Sequence, residues 1–179
     1  MSMLKEERLP LSFRAPEPED LDFLYRIEND ETVWPISDCM MPYSRYALKQ
    51  YIAGCSNDFF SEKQLRMMVM LEGVSQPVAI VDLFGFRPLD GRAELGVIVD
   101  PAYRNKGIGE QSVAMLCEYA ARVLGIRMLT GTVPVGNEQS VNMLERNGFE
   151  QVATLPEWML VSGEARDLAV FQKKLQKKS

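Results

Sequence analysis

Hydrophobic residues recur along the chain at two spacings, one typical of β-strands and one typical of helices. The helical spacing is clearest where Val113, Leu116, Ala120 and Leu124 would share one helix face, with Gly125 ending the helix. Strands are predicted where short apolar runs lie between turn residues. The predicted strands cover residues 11–15, 64–71, 77–87, a run that begins at Arg92, 127–133, 150–156 and 168–174. The predicted helices cover residues 18–29, 43–53, 109–124 and 140–147.

The order of these elements indicates how the strands pair. Short turns containing Gly73 and Gly91 join three consecutive strands, which is typical of an antiparallel meander. The later strand, helix and strand between Arg92 and residue 133 form a unit that makes one parallel pair. The sequence therefore predicts an α+β fold, in which helices flank a mixed and largely antiparallel twisted sheet.

Composition fits one soluble domain over residues 1–179, with a core at about 11–174. The chain is 46% apolar and 25% charged, which is ordinary for a globular protein. The first eight residues contain no apolar run, so they predict neither a signal peptide nor a membrane anchor. Three scattered cysteines indicate a reducing compartment, and we expect a cytoplasmic protein. The net charge of −5 argues against broad nucleic-acid binding.

The chain contains no histidine, which removes the commonest general base and the commonest metal ligand. No pair of cysteines has the spacing of a zinc site, so no metal is expected. Any proton transfer must therefore use a carboxylate, a tyrosine, the backbone or water.

A basic, glycine-containing turn between an apolar strand and a helix is the strongest functional motif. Arg104 and Lys106 supply cations, while Gly107 and Gly109 let backbone N–H groups approach an anion at the start of the helix. A Walker loop would need the lysine after the glycine, and a Rossmann turn would place its first glycine closer to the strand. The turn thus predicts a pyrophosphate-bearing cofactor.

The motif Arg104-x-x-Gly107-x-Gly109 resembles the acetyl-CoA pyrophosphate loop of the GNAT family of N-acetyltransferases. A second segment resembles that family's later signature, with Asn137, Ser140 three places on, and a helix closed by Gly-Phe at 148–149. Residues 158–167, with a glycine between them, are similar to the carboxyl-terminal hairpin of the ribosomal-protein and spermidine acetyltransferase branch. The resemblance spans about residues 11–171.

The resemblance implies a GNAT-like fold whose sheet splays, at a bulge, from the strand that binds acetyl-CoA. It also implies the residues that hold this cosubstrate. They are Gly96, Val97, Ile98, Val99, Arg104, Asn105, Lys106, Gly107, Ile108, Gly109, Glu110, Asn137 and Ser140. For Asn137, capping of the following helix is an equally good interpretation, and both roles are compatible.

The resemblance further implies candidate catalytic residues. Glu94 precedes the phosphate turn and is the expected base, directly or through water; a solvated strand carboxylate is the plain alternative. Asp82 is the second carboxylate, as a base or as a group that positions a cationic acceptor. Many family members have a tyrosine acid where this chain has Leu144, which leaves water or Ser140 to assist the departing thiolate.

On the acceptor side, the resemblance implies that Trp34 and Tyr43 line the amine pocket, although packing at the core edge explains them equally well. The expected reaction is direct attack of a primary amine on acetyl-CoA in a ternary complex. The acceptor is a small amine, a polyamine or a protein amino terminus, and the enzyme is a possible homo-oligomer. The alternative is a CoA-binding or regulatory module of the same fold without catalysis.

Overall fold

The computed structural model describes residues 9–33, 41–56, 58–161 and 163–176. Within these residues, seven strands form one sheet in the order β1-β2-β3-β4-β5-β7-β6. The strands are β1 (Leu11–Arg14), β2 (Leu65–Leu71), β3 (Ala79–Arg87), β4 (Arg92–Val99), β5 (Met128–Pro134), β6 (Glu150–Val161) and β7 (Glu164–Lys174). The helices are α1 (Leu21–Glu28), α2 (Arg45–Gly54), α3 (Phe59–Glu62), α4 (Ile108–Arg122) and α5 (Glu138–Arg146).

The sheet divides where its one parallel pair, β4 and β5, comes apart. These strands pair over only three positions, from Arg92 opposite Met128 to Glu94 opposite Thr130. Beyond Glu94, β4 pairs only with β3, and β5 pairs only with β7. The splayed sheet expected from the sequence is therefore confirmed.

The expected bulge is not where the strands diverge. The register of β4 against β3 is regular from Val99 to Glu94, and the irregularity lies in β3 between Phe84 and Arg87. The crossover helix α4 carries the chain from the end of β4 back to the beginning of β5, as a parallel pair requires. Beyond the three paired positions, each strand keeps only its antiparallel partner, β3 or β7.

Two helical layers cover the faces of the sheet. Alternate residues of a strand point to opposite faces. Met68 and Ile80 therefore pack with α1 and α2, and their odd-numbered neighbours Val69 and Val81 pack with α4.

In the described ranges, no helix combines the length and apolar composition that crossing a bilayer requires.

Most predicted elements are confirmed to within a few residues, but the carboxyl-terminal hairpin is longer than expected. We expected the last two strands to cover residues 150–156 and 168–174. The first of them, β6, instead continues to Val161 through a register shift between Leu155 and Met159, where Glu157 adopts a positive φ of 48°. The bulge takes up the proline and lets the pairing resume.

The short helix α3 was not predicted. Asp58 caps it, because its carboxylate accepts a hydrogen bond of 3.2 Å from the N–H of Ser61. Four residues are too few to show helical periodicity.

Candidate functional site

A cavity of about 490 Å³ lies where the sheet divides. Its walls come from both halves of the sheet, with Asp82 and Gly96 on one side and Gly131 on the other. Helix α2 contributes Tyr51, and the start of α5 contributes Ser140. A ligand here would contact both halves of the sheet at once.

The segment that leads from β4 to the phosphate turn at residues 104–110 begins at Asp100. This buried carboxylate accepts a hydrogen bond of 3.0 Å from the N–H of Ala102 and one of 2.7 Å from Arg26 of α1. Burial acts to raise the pKa of Asp100, but the hydrogen bonds from Arg26 and Ala102 outweigh it and lower the pKa. Asp100 thus fixes the entrance of the turn against α1 as an ionised group.

The turn itself needs left-handed backbone at two positions. Asn105 has a φ of 59° and Gly107, at the N-cap of α4, a φ of 77°. Asparagine and glycine are the residues that adopt this region most readily. The chain can therefore fold sharply around an anion between β4 and α4.

Six consecutive backbone amides of the turn, residues 105–110, have no hydrogen-bond acceptor in the described part of the chain. The last three open the first turn of α4, where helix amides lack an intrahelical partner. Arg104 donates to the carbonyl of Val99 at 3.3 Å, and Lys106 to that of Ala102 at 3.0 Å, so both cations stay beside the turn. Together these donors fit a pyrophosphate.

Gly109 allows the start of α4 to pack closely against its neighbours. A Cβ atom at this position would lie 3.1 Å from Sδ of Met143 and 3.2 Å from Cγ2 of Val99. A larger residue here would force the side chains of Met143 on α5 and Val99 on β4 to shift. The second glycine of the motif therefore serves packing.

The segment from β5 into α5 places Asn137 and Ser140 on the cavity wall. The Asn137 side-chain oxygen accepts a hydrogen bond of 3.2 Å from the N–H of Ser140, which caps α5. Within the described ranges, the side-chain nitrogen Nδ2 of Asn137 has no acceptor. Capping thus leaves one polar group of Asn137 available to a ligand.

Among the described residues, three charged side chains form a network on the opposite side of the cavity. Arg66 of β2 binds Asp82 through two hydrogen bonds, of 2.8 and 3.0 Å, and binds Glu28 of α1 at 2.5 Å. Burial disfavours the charged form of Arg66, but Asp82 and Glu28 outweigh this effect and raise its pKa. The network carries two negative charges and one positive charge, so it favours a cationic ligand.

The other predicted site residues fall into three groups. Those that line the cavity are Asp82, Gly96, Val97, Ile98, Asn137, Ser140 and Tyr43. Val99 and residues 104–110 lie at the phosphate turn beyond it. Trp34 lies outside the described residues.

Glu94 does not line the cavity. It shares a sheet face with Asp82 and Gly96, and its register partner on β3 is Phe84, which does line the cavity. Its carboxylate oxygen Oε1 lies 3.3 Å from the position that a Cβ of Gly85 would occupy. Glu94 thus lies at the edge of the cavity, next to the lining residues Phe84 and Leu95, and its assignment as the base stays a prediction.

Sequence reasoning missed Glu28, Arg66 and Tyr51, which also line the cavity. One signal was available, because Arg66 interrupts the apolar run of β2 and a charged residue in such a strand needs a partner. Its partners are 38 and 16 residues away along the chain, so spacing could not identify them.

Leu144 takes a place in the core and in the cavity wall. It is 2% exposed, and its Cδ1 atom lies 3.4 Å from the position that a Cβ of Gly131 would occupy. The family's usual tyrosine position therefore carries an apolar side chain directed at the point where the sheet divides.

Comparison with known proteins places this geometry in a family. The sequence model of the acetyltransferase (GNAT) domain family matches residues 11–150 of this chain. Spermidine N(1)-acetyltransferase of Escherichia coli K12 is 22% identical over 168 residues, covering 90% of this chain and 86% of its own. The uncharacterized N-acetyltransferase p20 of Bacillus licheniformis is 25% identical over 174 residues, covering 96% and 95%.

A solved structure shares the fold. Spermidine N-acetyltransferase from Vibrio cholerae, in complex with CoA and spermine, superposes with a TM-score of 0.83 at 22% identity, covering 94% of this chain and 97% of its own. The matched family domain contains the splayed strands, the phosphate turn and the capped helix α5. This chain belongs to the GNAT family and is an N-acetyltransferase that uses acetyl-CoA as its cosubstrate.

Proposed function

We propose that this enzyme acetylates a primary amine of a small cationic acceptor of the polyamine class, bound in the cavity at the divided sheet. The charge of the cavity wall carries the proposal. The charged residues of its lining are Glu28, Asp82 and Arg66, and their formal charges sum to −1. The relative from E. coli and the solved structure from V. cholerae, both named as spermidine acetyltransferases, support the same acceptor class.

On the cosubstrate side, we assign the pyrophosphate to the turn at residues 104–110. Six amides without acceptors and two cations support this assignment. Every second residue of β4 beyond Glu94 directs its N–H and C=O away from β3, into the gap that β5 has left. These groups and the side-chain nitrogen of Asn137 suit the amide groups of the pantetheine arm. Acetyl-CoA, when bound, supplies the activated acyl group.

We assign two different roles toward the acceptor, positioning to Asp82 and proton removal to Glu94. Asp82 is held by two hydrogen bonds from Arg66, so we assign it to positioning the ammonium group. An aliphatic amine has a pKa near 10.4 and must lose a proton before or during attack. Glu94 lies two residues before Gly96, roughly 7 Å along the strand. We therefore propose that Glu94 takes this proton through a bridging water.

We also propose that the protein self-associates through the edge strand β6. This edge strand exposes Val152, Trp158 and Leu160 at 48%, 66% and 71%, and exposed apolar side chains on an edge strand mark an interaction surface. A dodecameric spermidine N-acetyltransferase from V. cholerae shares the fold, with a TM-score of 0.76. The cytoplasmic location stays a prediction from composition.

The acceptor class is tested by the release of CoA thiol from acetyl-CoA in the presence of spermidine, putrescine, pentylamine or a peptide with a free amino terminus. We expect kcat/KM for spermidine to exceed that for pentylamine by about 10-fold or more, because charge complementarity strengthens binding of the multiply charged acceptor. A preference for the peptide would move the assignment to protein amino termini. Absence of transfer to all four compounds would contradict the proposed function.

Leu144→Tyr is expected to hold or raise turnover and to leave acetyl-CoA affinity similar. Its hydroxyl would reach from the core into the cavity and could protonate the departing thiolate. The thiolate is already a tolerable leaving group, because its conjugate acid has a pKa of about 8.5. Steady-state kinetics on purified variants measures the effect, and a melting curve checks the packing against Gly131.

Leu144→Phe is the matched control, since it adds the ring without the hydroxyl.

Ser140→Ala is expected to lower turnover only a few-fold if solvent serves as the acid. A loss of 100-fold or more in Ser140→Ala would identify Ser140 as the acid instead.

A further inference from the structure

A second, smaller cavity of about 210 Å³ adjoins the first at the carboxyl-terminal end of α2. Four residues line both cavities, namely Tyr51, Gln64, Leu65 and Arg66. The remaining lining of the second cavity comes from the last turns of α2 and from Glu62 of α3. A ligand that extends past these four shared residues would pass from one cavity into the other.

The carboxylate of Glu62 is fixed in orientation at the second cavity. Its Oε1 atom accepts hydrogen bonds from Oγ of Ser56 at 2.5 Å and from the N–H of Ser56 at 3.3 Å. Its second oxygen, Oε2, has no hydrogen-bond partner among the described residues. One acceptor atom of an oriented carboxylate thus remains open to a cation.

The end of α2 adds to the negative potential. Carbonyl groups in the last turn of a helix lack an intrahelical donor and carry the negative end of its dipole. The N–H of Cys55 donates to the carbonyl of Ile52, and no donor among the described residues reaches the carbonyls of the two residues after Ile52. The one cation of this lining, Arg66, already donates to Asp82 and Glu28.

We propose that the second cavity is the subsite for the distal ammonium group of the acceptor, with Glu62 as its anionic partner. The proposal rests on the proposed function, because it concerns the far end of the molecule that is acetylated in the first cavity. The aliphatic part of the acceptor would lie along Leu65 and the ring of Tyr51, which border both cavities. A monoamine would fill the first cavity alone.

The arrangement makes Glu62 a determinant of acceptor length. An acceptor with a second cation at the right distance gains the contact with Glu62, whereas a shorter diamine or a monoamine does not. Because Glu62 is exposed to solvent, its effect on binding is limited by screening. We therefore expect a change in KM for long acceptors and no change in the rate of the bound complex.

The experiment compares Glu62→Gln and Glu62→Lys with the parent enzyme, using spermidine and pentylamine as acceptors at saturating acetyl-CoA. Glu62→Gln should raise KM for spermidine about 5-fold, and Glu62→Lys about 20-fold, because the lysine repels the distal ammonium. The KM for pentylamine and kcat for both acceptors should stay within about 2-fold of the parent. Glu118→Gln, an exposed carboxylate on α4 at the other face of the sheet, is the matched control.

The outcomes separate this inference from the proposed function. If the parent acetylates spermidine and Glu62→Lys leaves its KM within 2-fold, the distal subsite is wrong and the proposed function stands. If both acceptors lose affinity equally, Glu62 supports the fold of α3 and the subsite is again wrong. If the parent acetylates neither amine, the proposed function fails and the inference fails with it.

Discussion

Replacing Gly107 by valine is expected to raise the Kd for acetyl-CoA by about 100-fold or more while the protein stays folded. Gly107 has a φ of 77°, and a side chain there strains the turn by about 1–2 kcal/mol. No protein atom lies within 4 Å of the added Cβ, so the side chain would project into open space at the phosphate turn. Losing two hydrogen bonds to a charged ligand, at roughly 1.5 kcal/mol each, corresponds to about 100-fold in affinity.

Calorimetric titration with acetyl-CoA measures this effect, and Gly125→Val is its matched control. Gly125 lies beyond the other end of α4, with a φ of 66° and no protein atom within 4 Å of an added Cβ. The two variants thus carry the same backbone strain in equally open surroundings, and only one should lose the ligand. Unchanged affinity in a folded Gly107→Val variant would contradict the assignment of the turn.

Replacing Glu94 by glutamine is expected to lower kcat by roughly 100-fold at pH 7, in line with general-base contributions, and to leave acetyl-CoA binding intact. Without the base, the reaction depends on the small fraction of acceptor that is already neutral. That fraction grows about 10-fold per pH unit below the amine pKa of about 10.4. The deficit should therefore shrink as the pH rises from 7 to 9.

The pH dependence of kcat and kcat/KM for the parent and for Glu94→Gln provides the measurement. Glu118→Gln removes a carboxylate from the exposed face of α4 and should leave both profiles unchanged. Near-normal turnover of Glu94→Gln across this pH range would exclude Glu94 and transfer the proton to Asp82 or directly to water.

The sequence predicted those parts of the fold that local chemistry determines. The meander of β2, β3 and β4 followed from apolar runs and glycine-containing turns, and α4 followed from its helical spacing and its terminal Gly125. The predicted end of β6 at Pro156 was wrong, because pairing with β7 continues to Val161. Most residues of β6 are exposed, so its length depends on pairing with β7 and is not visible in a local apolar pattern.

The site divides in the same way. The phosphate turn is one continuous segment, so Arg104 and Gly107 could be recognised from their spacing. The acceptor wall is assembled from α1, α2, β2 and β3, and the network around Arg66 joins residues that no local pattern connects. Sequence reasoning found Asp82 there but could not find the guanidinium group that limits what Asp82 can do.

The three-residue ladder between β4 and β5 has a thermodynamic consequence. Antiparallel pairing is extensive within each half of the sheet, whereas few backbone hydrogen bonds cross between the halves. In the binding mode that we propose, acetyl-CoA contacts β4, Asn137 and the start of α4, and so would link the two halves of the sheet. Its binding free energy would then add to the stability of the folded state. At 100 times its Kd, such a ligand contributes about 2.7 kcal/mol. We therefore expect the melting temperature of the enzyme to rise with the concentration of acetyl-CoA.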